Sequence, residues 1–244
     1  MRIRAVVAYD GTDYHGFQRQ AAEFEPTVQG AIESALSRIE QSGTVIGAGR
    51  TDAGVHASGQ VIAFGVNWRH AVSDLQRALN AVLPDSIAVL ELEPAADDFH
   101  PRYTAVSREY RYSLYNTPVR HPLIQRYALC ISPVLNVPQM DRAVAKLAGE
   151  HDFAAFGQPT SGESTVRNML RAVVSNDGPH IWIDLQANGF LYRMVRRIVG
   201  TLLMVGREEL SESQFVEVLE SADPNRSGPA VPPQGLCLTR VNYI

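Results

Sequence analysis

Apolar residues along the chain repeat with two periods, and a change of period marks a change of predicted element. In the first half the pattern predicts strands over 3–9, 44–47, 60–66 and 87–92, with helices over 27–40 and 72–83. The first helix is the clearest, because Val28, Ala31, Ile32, Ala35, Leu36 and Ile39 form an i, i+3, i+4, i+7 stripe. Pro26 and Thr27 supply its start signal. Between the second and third strands lies a glycine-punctuated loop, GAGRTDAGVHA, over 47–57.

The second half opens near Thr104 with a strand reading SREYRYSLYN, followed by a long turn-rich loop. A helix over 139–148, strands over 170–175 and 181–186, helices over 190–205 and 212–221, and a last strand over 236–243 complete the series. Ser211 with Gln214 is a capping-box signature for the second of those helices. Apart from that extra helix, both halves share the order strand-helix-strand-strand-helix-strand, which is the ferredoxin-like βαββαβ unit. The expected fold class is α+β, two tandem ferredoxin-like halves over 1–103 and 104–244 with a central cleft. The hinge is expected at FHPRY, 99–103, and a Pro-, Gly- and Ser-rich loop at 223–234.

Composition narrows the class. With 45% hydrophobic and 20% charged residues over 244 positions, the chain reads as ordinary globular protein able to bury a sizeable core. No apolar stretch is long enough to span a bilayer, and MRIRAVVAYDG reads as a strand and turn rather than a leader, so the expected location is cytoplasmic. Cys130 and Cys237 lie far apart in apolar runs and are expected as free thiols. The histidines occur singly, without metal-ligand spacing, so no metal is expected.

Charge changes the picture more. The net charge of -4 argues against a nucleic-acid partner as a total, but the sum hides segregation. Residues 100–127 carry Arg102, Arg108, Arg111, Arg120 and Arg126 against the single acid Glu109, and residues 189–207 carry Arg193, Arg196, Arg197 and Arg207 with no acid. A basic cleft on an acidic body is compatible with those runs. Of the 22 basic residues only Lys146 is a lysine, and arginine is the side chain whose planar fork suits phosphate and stacks on bases.

Three constellations carry candidate chemistry. Asp52 sits in the glycine-rich loop with Arg50 two residues before it and His56 four after; taken alone, the segment also reads as a polar turn. In the helix over 190–205, Leu191, Met194, Val195, Ile198, Leu202 and Val205 fall on one arc, with Arg193, Arg196, Arg197 and Arg207 opposite and Gly200 among them. That cationic face is either solvated or paired with a carboxylate or phosphate. In SREYRYSLY, Arg108, Tyr110 and Tyr112 share one face, as core aromatics or as a stacking platform for a base.

Six segments in order, YDGTDYHGFQRQ, GRTDAGVHASGQV, FHPRYTAVSREYRY, GEHDFAAF, FLYRMVRRIVG and PPQGLCL, resemble the TruA family of tRNA pseudouridine synthases, over Tyr9 to Leu238. The resemblance implies two ferredoxin-like halves joined into one mixed, mainly antiparallel sheet. It implies an isomerase that converts uridine to pseudouridine in the tRNA anticodon stem-loop, at the positions conventionally numbered 38, 39 and 40, working as a homodimer without cofactor. The family's nucleophilic aspartate falls on Asp52, its substrate-binding tyrosine on Tyr110, its active-site arginine on Arg196 and the arginine linked to displacing the target nucleotide on Arg50. A leucine lining its uracil pocket corresponds to Leu236. Arg193 and Arg197 add charge beside Arg196, so that assignment rests on the motif.

The chemistry implied needs no redox partner, since the bond from uracil N1 to ribose C1′ is exchanged for one from C5. Its nucleophile can be an ionised aspartate, a state that a neighbouring arginine favours. A hydrolysing glycosidase would instead need a pair of carboxylates, and the loop holds one. A non-catalytic RNA-binding protein of two ferredoxin-like modules would explain the arginines and leave GRTDAG without a role.

Overall fold

The computed structural model describes residues 1–21, 25–159 and 162–244. The chain is α+β and divides into two compact units, residues 1–106 with 237–244, and residues 107–236.

In the first unit the alternating run RIRAVVAY forms β1 (Arg2–Tyr9), whose Ile3, Ala5, Val7 and Tyr9 face the core. Then come α1 (Val28–Arg38), β2 (Ile46–Gly47), β3 (His56–Gly65), α2 (Val72–Val82) and β4 (Ile87–Ala95). Antiparallel pairing of β1 with both β3 and β4 puts it centrally, and β2 lies on the other edge of β3, which is the ferredoxin-like order. That same edge of β3 also takes the C-terminal strand β10 (Leu236–Asn242), in parallel, with Cys237 opposite His56 and Leu238 opposite Ala57. The end of the chain therefore belongs to the first unit.

Helix α1 starts where the sequence places it, with the Thr27 side chain accepting from the Gly30 N–H at 3.2 Å. Its buried positions, Val28, Ile32, Ala35 and Leu36, belong to the predicted stripe, whose other members, Ala31 and Ile39, are half-buried. Strand β3 starts earlier than the periodicity predicts, at His56 instead of residue 60. The HASGQ stretch has no apolar alternation, yet His56, Ala57, Gly59 and Gln60 are all buried.

The second unit holds β5 (Ser107–Asn116), β6 (Leu129–Ile131), α3 (Val137–Ala145), β7 (Gly149–Asp152), β8 (Val166–Asp177), β9 (His180–Ala187), α4 (Met194–Gly206) and α5 (Glu212–Ser221), ahead of β10 (Leu236–Asn242). Within this unit the strands run β5-β9-β8-β7, antiparallel, with β6 parallel to β5. Tyr112 and Leu114 of β5, Ile183 of β9, Ile198 and Leu202 of α4, and Phe153, Phe156 and Phe215 make its core. Strands β6 and β7 are additions to the predicted order, because LCI is three residues long and GEHD carries no apolar pattern.

Helix α4 also departs from expectation. Leu191 is buried as the stripe requires, but it belongs to an extended segment, in which the Tyr192 N–H donates to the Gln158 carbonyl at 2.8 Å. Arg193 then takes a left-handed conformation (φ 60°) and the helix begins at Met194, four residues later than the periodicity indicates. Helix α5 carries the predicted capping box: the Gln214 N–H donates to Ser211 Oγ at 3.2 Å and Gln214 Oε1 accepts from the Ser211 N–H at 2.8 Å. Replacing Ser211 with alanine is expected to lower stability by about 0.5–2 kcal/mol, and Ser211→Asp to retain most of it, read from denaturant midpoints.

Candidate active site

Two loops laid backbone on backbone build the surroundings of Asp52. The first runs from the end of β1 into α1, the second from β2 into β3. At Gly11 an added Cβ would lie 2.0 Å from the Val55 carbonyl oxygen, and at Gly16 (φ +101°) 2.8 Å from that of Thr51. Only glycine permits either approach. The loops are then stitched together: the Phe17 N–H donates to Thr51 O at 3.1 Å and the Gly54 N–H to Tyr14 O at 3.2 Å. Buried Thr51 pairs its hydroxyl with Tyr9 at 2.8 Å, and the Val55 N–H closes a turn onto Asp52 O at 3.1 Å. Asp52 is half-buried between these anchored neighbours. Its backbone is fixed from both sides.

Behind the loop, buried Gln60 of β3 donates from Nε2 to Gly49 O at 2.9 Å. Phe17 fills the space under Gly47, where a Cβ would meet the ring at 2.5 Å. Arg50 is exposed and makes no hydrogen bond or ion pair among the described residues. His56 is buried, its Nδ1 accepting from the Gly11 N–H at 3.0 Å and lying 3.1 Å from Asp10 Oδ1. Asp10 Oδ1 also accepts from the Thr12 N–H and hydroxyl, at 3.0 and 2.6 Å. The ring therefore ties the end of β1 to β3.

Arg50 and Asp52 stand in the first unit, and Tyr110, Arg196 and Leu236 in the second. Tyr110 is half-buried, held edge-on by Phe190 at 5.0 Å between ring centroids and 80° between planes. Its neighbour on the same face, Tyr112, is wholly buried and donates to Pro232 O at 2.7 Å. Burial pushes the Tyr112 hydroxyl well above the usual phenol range, against a smaller opposing pull from Arg196, so it remains a donor. Tyr112 is thus a core aromatic, the blander of the two sequence readings.

The middle of the cationic face of α4, Arg196 and Arg197, is turned to a covering loop and not to solvent alone. Arg196 donates from Nε to Val231 O at 2.7 Å, and Arg197 reaches Ser227 Oγ from Nε and Nη2, at 3.0 and 2.7 Å, and Pro224 O. Gly200 lies under the same loop, where a Cβ would come 2.0 Å from Pro229 O. Arg193 and Arg207 are exposed at the helix ends. Leu236 is buried at the start of β10. Periodicity places the arginines on one face but carries no signal for the loop that covers them. Likewise, the glycines of YDGTDYHG mark a close approach whose partner only the fold identifies.

No group of three His, Cys, Asp or Glu among the described residues is arranged to hold a metal, and no helix among them is long and apolar enough to cross a membrane. The sequence pattern of the tRNA pseudouridine synthase family matches residues 5–104 and 143–244, which includes the Asp52 loop, α4 and β10. The chain belongs to that family. It is 44% identical to a tRNA pseudouridine synthase A of Moorella thermoacetica over 245 residues, covering 99% of each chain. With that of a Thermoanaerobacter species it shares 40% over 243 residues, again 99% of each, and with that of Chloroflexus aurantiacus 43% over 250 residues, covering 99% of this chain and 88% of the other. Tyr110 falls between the two matched family segments, inside the full-length alignments to these synthases.

The glycine contacts yield a direct test in this synthase-family chain. Gly11→Ala is expected to cost about 1–3 kcal/mol in urea unfolding, because backbone must move to admit the methyl. Gly49→Ala, where nothing lies within 4 Å, is expected to cost no stability.

Proposed function

We propose that this chain isomerises uridine to pseudouridine in the tRNA anticodon stem-loop, at positions 38, 39 and 40, with Asp52 as the nucleophile. The placement of Asp52 carries the reading: a half-buried carboxylate on a loop fixed at Thr51 and Val55, in a chain that belongs to the tRNA pseudouridine synthase family. The name of the relatives, tRNA pseudouridine synthase A, supports tRNA as the substrate.

The reaction breaks the bond from N1 to C1′, turns the uracil and rejoins it through C5. An ionised carboxylate serves as nucleophile at either ribose C1′ or uracil C6. Holding its backbone rigid keeps the attacking oxygen near the reacting atom instead of spending binding energy on loop ordering. A stem uridine must first leave the stack, at a cost of a few kcal/mol. Arg50, exposed and with no hydrogen bond or ion pair among the described residues, is suited to occupy the gap it leaves.

The family resemblance also assigns substrate-binding roles to residues of the second unit. Tyr110, its ring fixed edge-on by Phe190, stacks on the extruded base. Arg196, oriented by Val231, supplies positive charge, and Leu236 gives the uracil an apolar wall. Such a wall keeps water from the freed base. The assembly follows the family: a homodimer acting on tRNA in the cytoplasm, without cofactor.

Asp52→Asn is expected to abolish pseudouridine formation in an unmodified tRNA transcript while changing tRNA affinity by no more than a few fold. Full activity in that variant would remove Asp52 from the chemistry. Loss of affinity in proportion to activity would recast it as an RNA contact.

A further inference from the structure

Beyond the residues given a role above, the second unit contains a clasp between α4 and the loop that ends at Leu236. Four attachments hold that loop, one after another along its length. Arg197 grips its start, donating to Ser227 Oγ from Nε and Nη2 at 3.0 and 2.7 Å and to the Pro224 carbonyl. Thr201, wholly buried, accepts from the Gly228 N–H at 2.8 Å while donating to Arg197 O at 2.9 Å. Here the two backbones touch, since a Cβ on Gly228 would fall 2.6 Å from Gly200 C. Next, Arg196 and Val231 exchange two bonds, Arg196 Nε to Val231 O at 2.7 Å and the Val231 N–H to Arg196 O at 3.2 Å. Finally the Tyr112 hydroxyl donates to Pro232 O at 2.7 Å, one short turn before Leu236.

We infer that Arg197, Thr201 and Tyr112 are positioning residues, which fix the 224–235 loop so that it aims the Arg196 guanidinium and sets the place of Leu236. The inference rests on the proposed roles of Arg196 and Leu236. The bond from the Arg196 Nε to Val231 O restricts rotation of the guanidinium, and the next carbonyl along the chain is the one Tyr112 holds. The loop therefore joins the arginine and the leucine mechanically. Arg197 is a cation spent on internal carbonyl and hydroxyl acceptors rather than on phosphate. A lysine cannot replace it, because one ammonium lacks the planar fork that spans Ser227 and Pro224.

Pseudouridine formation under single- and multiple-turnover conditions, with tRNA affinity across a range of salt, tests this in Arg197→Ala, Arg197→Lys and Ser227→Ala. Ser227→Ala keeps every charge and removes the hydroxyl that accepts from Arg197 and donates to Pro224 O at 3.2 Å. In all three, kcat is expected to fall roughly 10- to 100-fold, as for a misplaced catalytic group, with KM for tRNA within about twofold. The salt slope of binding should equal that of the parent protein. Weaker binding with a slope reduced by about one in Arg197→Ala would make Arg197 a phosphate contact and overturn the inference. Unchanged kcat in Ser227→Ala, or full rescue by Arg197→Lys, would overturn it as well. Either result leaves the proposed reaction standing if Asp52→Asn is inactive, whereas activity in Asp52→Asn would instead overturn that reading.

Discussion

The close approach of two backbones at Gly11 and Val55 is the constraint on which the Asp52 loop depends. Nothing larger than hydrogen fits at Gly11, and the contact brings the end of β1 within reach of the bonds from Phe17 to Thr51 and from Gly54 to Tyr14. Loops usually take their conformation from their own turn residues and the strands they join. This one takes it from a second loop pressed against it, so the residues flanking Asp52 are held by partners far away in sequence.

The second unit solves a similar problem with the same device. At Gly200 and Gly228 a loop lies on a helix without intervening side chains, and arginines that would otherwise face solvent become hydrogen-bond donors to that loop. Under the proposed function both devices place order where the reaction needs it, since a group held in position before the substrate arrives need not be ordered at the moment of reaction. Arg50 is the complement to this rigidity, an exposed cation on an otherwise pinned loop.

How much of this was legible in the sequence follows from what each signal measures. Periodicity reports which side of an element is buried, so α1, β1, β5 and α5 were readable nearly to their ends, and capping chemistry marked Thr27 and Ser211. It does not report backbone hydrogen bonding. The apolar stripe continued through Leu191 although the Tyr192 N–H bonds to Gln158 and the helix starts at Met194, and GEHD paired as β7 without any apolar residue. Asp52 was legible as a candidate because its loop is glycine-rich and set between strands. What was hidden were the partners of Gly11, of Gly16 and of the α4 arginines, because a glycine in a sequence announces space without naming its occupant.

The central claim is that a carboxylate fixed in this way exchanges one glycosidic bond for another without losing the base. Incubating the wild-type protein with a single unmodified tRNA transcript, then digesting it to nucleosides and also assaying free uracil, measures that outcome directly. The account predicts pseudouridine confined to the anticodon arm, in amounts equal to the uridine lost, with no uracil released. Free uracil with an abasic site, or bound tRNA whose uridines are unchanged, would contradict it.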